Sequence, residues 1–115
     1  KCYYIENVTF VGKQWDSCQF HFYKDTLSYV GFGLQSDKEE VIDVYNQNIE
    51  NARTKYDKIE GKMSRDDPNS KQCYFDDGVI VLSIGYNIEE NNYDSLIYQS
   101  KKLINQMDED AYDDI

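Results

Sequence analysis

Residues 17–34 read SCQFHFYKDTLSYVGFGL, and this stretch decides the fold class. Over residues 17–23, apolar and polar side chains alternate, which is the period of a strand with one buried face. Lys24 and Asp25 indicate a short turn, and residues 26–34 are again rich in the aromatic and β-branched residues that strands prefer. The stretch therefore predicts an antiparallel hairpin, and residues 2–10 (CYYIENVTF) predict a further strand ahead of it.

A long helix is predicted after this meander. Ser36 and Glu39 match the capping-box pattern S-x-x-E, in which two side chains satisfy free N–H groups at a helix start. Apolar residues then recur at alternating spacings of three and four from Ile42 to Met63, so they lie on one stripe of the helix. The stripe is compatible with a coiled-coil dimer. Valines beside it widen the apolar face, which favours a helix lying across a sheet.

The rest of the chain predicts a second hairpin and a second helix. Asp76, Asp77 and Gly78 indicate a tight turn between strands at 71–75 and 78–86. An amphipathic helix begins near Asn91 or Asn92, and the acidic residues 108–115 are expected to fray. The predicted order is β-β-β-α-β-β-α, a single α+β domain over residues 1–115. Its antiparallel sheet is expected to carry one long and one shorter helix on one face.

Negative charge is concentrated in the second half of the chain. Residues 66–115 hold 12 acidic residues and 3 lysines, whereas residues 1–65 are balanced to within one charge, and the net charge is −10. A surface of one sign steers encounters with partners of the opposite sign. It also excludes direct binding to nucleic-acid phosphates, because that affinity depends on Lys and Arg.

Motifs for catalysis or metal binding do not occur in the sequence. His21 is the single histidine, and on a strand it points away from Cys18, so the two do not form a Cys–His nucleophile pair. Paired carboxylates are frequent, but none follows the calcium-loop pattern D-x-[DN]-x-[DN]-G. The sequence thus predicts a protein that is not an enzyme and that has no cofactor and no dedicated metal site.

Three cysteines leave one unpaired if a disulfide forms. If residues 10 and 17 pair across the first turn, Cys2 and Cys18 lie about 24 Å apart, beyond the ~7 Å limit of a bridge. A disulfide must then involve Cys73. We prefer Cys2–Cys73, because Cys18 shares a strand face with two phenylalanines, and three reduced core cysteines are the alternative.

The chain begins at Lys1 without a methionine, which together with the predicted bridge favours a processed protein located outside the cytoplasm. A signal or an anchor is then expected upstream. It would be the sole link to a membrane, since no apolar stretch approaches the roughly 20 residues that span a bilayer.

What remains is a binding surface for a protein partner with a basic face. Carboxylates supply fast and oriented association, while tyrosines supply contact energy. We expect the loop, the hairpin turn and the second helix that carry the acidic residues to lie near one another. The residues predicted to contact the partner are Asp66, Asp67, Asp76, Asp77, Tyr86, Glu89, Glu90, Tyr93, Asp94 and Tyr98.

A small acidic α+β chain, rich in tyrosine and asparagine, with a processed N-terminus and a candidate bridge, resembles the immunity proteins that neutralise antibacterial toxins. With an oxidised bridge it is most similar to those that Gram-positive bacteria display outside the membrane. The resemblance implies a non-catalytic inhibitor of a secreted toxin, and it assigns no residue. Two other classes fit the sequence: a phage-encoded nucleic-acid mimic that blocks a host defence or repair enzyme, and a structural module that dimerises through the long helix.

Overall fold

The computed structural model describes residues 1–113. They form one antiparallel sheet with the spatial strand order β1-β2-β3-β7-β6-β5-β4, together with two helices. The predicted α+β class is confirmed. In chain order the elements are β1 (Cys2–Phe10), β2 (Lys13–Tyr23), β3 (Thr26–Gln35), α1 (Lys38–Lys55), β4 (Lys62–Asp67), β5 (Ser70–Asp76), β6 (Ile80–Asn87), β7 (Tyr93–Ser100) and α2 (Lys101–Asp113).

Two of these strands, β4 and β7, are missing from the sequence prediction. β4 is exposed along its whole length at one edge of the sheet, so it lacks the apolar alternation that reveals a half-buried strand. β7 carries apolar residues at spacings that fit a helix, yet Asp94 and Leu96 alternate into the core. The predicted second helix is therefore wrong over β7, and α2 begins only at Lys101.

Two tight turns fix the register of the first three strands. Val11 and Gly12 connect β1 to β2, Lys24 and Asp25 connect β2 to β3, and all four have positive φ. Two consecutive positive φ angles are typical of the type I′ turn, whose twist matches that of a hairpin. The residue before the first turn pairs with Lys13 rather than with residue 17, so the predicted register is wrong by four positions.

α1 begins one residue later than the predicted capping box. Asp37 is the N-cap, and its Oδ1 accepts a hydrogen bond from the Glu40 N–H at 2.9 Å. The helix ends at Lys55, so the predicted stripe continues beyond it, and Met63 belongs to β4. Because the buried residues of α1 face the sheet, its apolar side is not available for a coiled coil. These residues are Val41, Val44, Tyr45, Asn48, Ile49 and Ala52.

The hydrophobic core lies between α1 and the sheet. Trp15 is fully buried, and its indole N–H donates to the Phe10 carbonyl at 3.1 Å, which fastens the β1–β2 hairpin over the core. Tyr45 of α1 meets Tyr86 of β6 edge-on, with ring centroids 4.9 Å apart. One continuous core thus extends from Trp15 in β2 to Phe75 in β5.

α2 follows β7 directly and crosses the end of the sheet. The Lys101 N–H donates to the Val79 carbonyl at 3.0 Å. Further along the helix, Asp110 accepts from the Tyr23 hydroxyl and pairs with Lys24 at 2.8 Å. Residues 108–113, which were expected to fray, belong to this helix, and residues 114 and 115 of the predicted frayed end lie outside the described residues.

The predicted Cys2–Cys73 disulfide is absent, and all three cysteines are free. Cys2 lies on β1 and Cys73 on β5, with four strands between them. At about 4.8 Å per strand, their backbones are roughly 24 Å apart, far beyond the reach of a bridge. Cys73 is instead a buried core residue, as is Cys18.

Candidate protein-binding surface

Three connections that carry carboxylates converge at one end of the sheet. The Ile88 N–H in the β6–β7 loop donates to the Asn69 carbonyl in the β4–β5 turn at 2.8 Å. The Ser36 N–H ahead of α1 donates to the Asn92 carbonyl in the same β6–β7 loop at 3.3 Å. We call this region the acidic end, and the exposed carboxylates in or next to these three connections are Asp37, Glu39, Glu40, Asp66, Asp67, Glu89 and Glu90.

Local structure explains why these carboxylates are tolerated together. Asp37, Glu39 and Glu40 lie at the N-cap and in the first turn of α1, where the helix dipole stabilises negative charge. Glu89 lies in a turn that is closed by a hydrogen bond from its own N–H to the Asn87 side chain at 2.9 Å. Backbone groups therefore stabilise the negative charge at the start of α1 and fix the turn that contains Glu89, and the region presents a concentrated negative field.

Basic residues offset part of this field. Lys38 is exposed beside the α1 carboxylates, and Arg65 is exposed next to Asp66 and donates to the Ser70 hydroxyl at 3.3 Å. Lys71 lies 3.5 Å from Asp66, with both side chains partly exposed. Exposed pairs of this kind hold their geometry weakly. Most of the negative charge of the acidic end therefore remains available to a basic partner.

A cleft of about 550 Å³ opens at the acidic end between the β6–β7 loop and the end of β3. Tyr93 forms one wall; its side chain is 44% exposed, and its hydroxyl lies over Gly33. Partial burial raises the pKa of Tyr93, so the phenol stays protonated and can donate a hydrogen bond. The residues that line the cleft are Gln35, Asn87, Glu89, Glu90, Asn91 and Tyr93.

Asp76 and Asp77 do not belong to the acidic end, because they lie at the opposite end of β5 from the β4–β5 turn. Asp76 accepts from Lys101 at 2.6 Å, and this bond lowers the pKa of Asp76. Asp77 accepts from the Ile80 and Val79 N–H groups, which lower its pKa. The single surface predicted from the sequence is thus divided between the two ends of the sheet.

Three other predicted contact residues point towards α1. Asp94 is fully buried and Tyr86 almost so, while Tyr98 is half-buried with its ring edge-on to Phe10. The Tyr86 hydroxyl donates to the Pro68 carbonyl at 2.9 Å and so supports the β4–β5 turn from beneath. Tyr86 and Asp94 are therefore inaccessible to a partner in this conformation.

Asp66, Asp67, Glu89, Glu90 and Tyr93 are the predicted residues that the fold brings together. The sequence reasoning missed Asp37, Glu39 and Glu40, because it divided the charge between halves of the chain, and these three lie in the balanced half. Their signal was present in the capping pattern, which marks both a helix start and a cluster of carboxylates. The charge balance of each half of the chain does not predict the surface charge here, because the β6–β7 loop from the second half folds beside the α1 carboxylates of the first.

A metal-holding cluster and a membrane-spanning helix are both absent from the described residues. Within residues 1–113, no group of three or more His, Cys, Asp or Glu side chains is arranged to hold a metal ion. In the same part of the chain, no helix has the length and apolar character needed to cross a membrane. No protein-family model, no curated protein and no solved structure matches the chain.

Proposed function

We propose that this chain is a non-catalytic inhibitor of the immunity type, whose acidic end binds a protein with a basic surface, most simply a cognate antibacterial toxin. The observation that carries the proposal is the convergence of seven exposed carboxylates from three separate segments at one end of a rigid sheet. Like charges repel, and a partner of opposite charge relieves this repulsion when it binds the cluster.

The arrangement supports both steps of binding. The negative field accelerates encounter with a basic surface and orients it. The cleft beside Tyr93 then receives an arginine or lysine side chain, which Glu89 and Glu90 can pair and the tyrosine ring can cover. Since loops anchored by backbone hydrogen bonds carry these groups, little conformational entropy is lost on binding.

Charge reversal at the acidic end tests the proposal. The variant Glu89→Lys/Glu90→Lys should bind a cognate toxin at least about tenfold more slowly at low salt, and its association rate should depend less on salt. The control Asp57→Lys/Glu60→Lys makes the same change in net charge on exposed residues beyond the other end of α1. If both variants associated equally slowly, the slower association would be an effect of net charge alone, and the acidic end would be rejected as the binding site.

The free cysteines favour a second candidate, the nucleic-acid mimic, because such an inhibitor acts in the cytoplasm, where thiols stay reduced. The two candidates differ in location and in their competitor. The toxin inhibitor expected from the sequence works outside the cytoplasm, and DNA does not displace it from a toxin that does not act on DNA. A mimic is displaced by duplex DNA from a DNA-binding enzyme, so a competition titration with the captured partner separates the two functions.

A further inference from the structure

β1 is an edge strand that exposes large apolar side chains on both of its faces. Tyr3, Tyr4 and Ile5 are 50%, 56% and 48% exposed, although they are consecutive. Ile5 pairs with the core residue Cys18, which places Tyr3 and Ile5 on the α1 face and Tyr4 on the other. An exposed apolar edge of this kind is a template for pairing with another strand.

The backbone groups of β1 show which residues are free to pair. The Phe22 N–H donates to the Lys1 carbonyl at 2.8 Å, and the Lys1 amino group donates back to the Phe22 carbonyl at 3.1 Å. Bonded and non-bonded pairs alternate in an antiparallel ladder. Cys2, Tyr4 and Glu6 therefore direct their N–H and C=O groups away from β2, towards the open edge.

The other edge of the sheet is built differently. β4 (KMSRDD) is exposed throughout and carries charges at four of its six positions. Charged side chains on an edge strand oppose pairing with another chain. By contrast, Glu6 is the one charged residue within β1. The two edges thus differ in the way expected if β1 pairs and β4 does not.

Charge distribution favours a second copy of this chain as the occupant of the β1 edge. Residues 1–35, which form β1 to β3, contain three lysines and three acidic residues, so the full charge of −10 lies in the rest of the chain. The β1 edge is also the edge farthest from β4, β5 and β6 in the sheet. Two copies can meet there without the repulsion that their acidic ends would cause, whereas a basic partner gains no attraction at this edge.

We propose that β1 pairs antiparallel with β1 of a second copy around a two-fold axis at Tyr4, which joins the two seven-stranded sheets into one. The ladder with β2 is regular from Cys2 to Glu6 and is interrupted at Asn7, which has a φ of 54°. Tyr4 is the centre of this regular segment. Its outward backbone groups bond to those of Tyr4 in the other copy, and Cys2 pairs with Glu6.

This register covers the exposed apolar side chains. Tyr3 of one copy lies opposite Ile5 of the other, twice in each dimer, so four half-exposed side chains form one cluster on the α1 face. The two Tyr4 rings meet across the axis on the opposite face. Aromatic and β-branched cross-strand pairs are the contacts that stabilise a ladder most.

Sedimentation velocity over a wide range of concentration tests the dimer without reference to any inhibited partner. The wild-type chain should show a monomer–dimer equilibrium, and Ile5→Lys should raise its dissociation constant by roughly tenfold or more, since each dimer carries the change twice. Val79→Lys is the control, because Val79 is 69% exposed in the β5–β6 turn. A wild-type chain that stays monomeric at every concentration would overturn the proposal.

Cysteine cross-linking tests the register. In a Cys2→Ser background, a Tyr3→Cys chain mixed with an Ile5→Cys chain should form a disulfide-linked dimer, because residues of a non-bonded pair have Cα atoms about 4.5 Å apart. Neither variant alone should form this disulfide. In a dimer of two identical variant chains, the two equivalent cysteines would be diagonal neighbours about 7–8 Å apart. Cross-linking of the Tyr3→Cys chain alone to the same extent as the mixture would exclude the axis at Tyr4.

Discussion

Asp94 lies directly opposite Tyr86 in the ladder between β6 and β7, and both are buried. The Tyr86 hydroxyl reaches the Pro68 carbonyl, whereas neither carboxylate oxygen of Asp94 has a hydrogen-bond partner among the described residues. Burial raises the pKa of Asp94 to about 8, with Lys13 opposing this rise and Glu40 adding to it. Asp94 is therefore mainly protonated at neutral pH, and its neutral form fits the core.

Asp94→Asn should remove a pH dependence of stability. The folded pKa of about 8 lies above the value of about 3.9 in unfolded chains. Between these values the native state binds the extra proton, so raising the pH destabilises the wild-type fold by about 1.4 kcal/mol per unit. The variant should gain up to about 3 kcal/mol relative to wild type between pH 5 and pH 7, as measured by urea unfolding followed through Trp15.

Asp43→Asn is the matched control, because Asp43 is exposed on α1. Its free energy of unfolding should run parallel to that of wild type over the same pH range. If Asp94→Asn also ran parallel to wild type, the carboxylate would have to be ionised and stabilised within the fold, contrary to its missing partners.

The thiols should differ sharply in reactivity. Burial raises the pKa of Cys18 and of Cys73, while Cys2 is exposed on β1. Because the thiolate is the reactive form and must reach the reagent, one thiol per chain should react quickly with an aromatic disulfide under native conditions. All three should react in denaturant. If only one thiol per chain reacted in denaturant without reductant, the other two cysteines would be joined in a disulfide, as the sequence predicted.

The sequence predicted the elements that have a strong local pattern and missed those that depend on neighbours. The hairpin at Lys24 and the helix over most of α1 follow from alternation and periodicity. β4 is held by pairing with β5 alone, so its own composition gives no sign of it. β7 lies between β3 and β6 and pairs with both. This pairing outweighed the spacing of its apolar residues, which also fits a helix.

The N-cap of α1 separates the predicted start of the helix from the observed one. Asp37→Ala should lower the free energy of unfolding by about 1 kcal/mol, because the Glu40 N–H would lose its acceptor. Ser36→Ala should cost less, since the Ser36 hydroxyl contacts the exposed Glu40 carboxylate rather than a backbone group. Equal losses in the two variants would contradict the assignment of Asp37 as the cap.

The candidate site, like β4 and β7, was predictable only in part, because it depends on contacts between segments that are distant in the sequence. Asp66 and Glu89 were recognised as exposed carboxylates, although only Glu89 lies in a loop and Asp66 belongs to β4. Their grouping with Glu39 depends on backbone hydrogen bonds between three distant connections, and no local pattern encodes those. Asp94 was misplaced because an acidic residue is almost always assigned to the surface.

Gly61 and Gly33 should respond differently to the same added methyl group. A Cβ at Gly61 would lie 2.7 Å from Cζ of Phe75, which is fully buried and stacked on Tyr56, so the ring has no room to move. At Gly33 the nearest atom is the Tyr93 hydroxyl at 2.9 Å, at the far end of a half-exposed side chain.

Gly61→Ala should therefore destabilise the fold by about 1–3 kcal/mol through overpacking. Gly33→Ala should change stability by less than about 1 kcal/mol, because the alanine also reduces the entropy of the unfolded chain. Urea unfolding of the two variants measures both effects, and a Gly61→Ala protein as stable as wild type would show that the segment after α1 does not pack against Phe75.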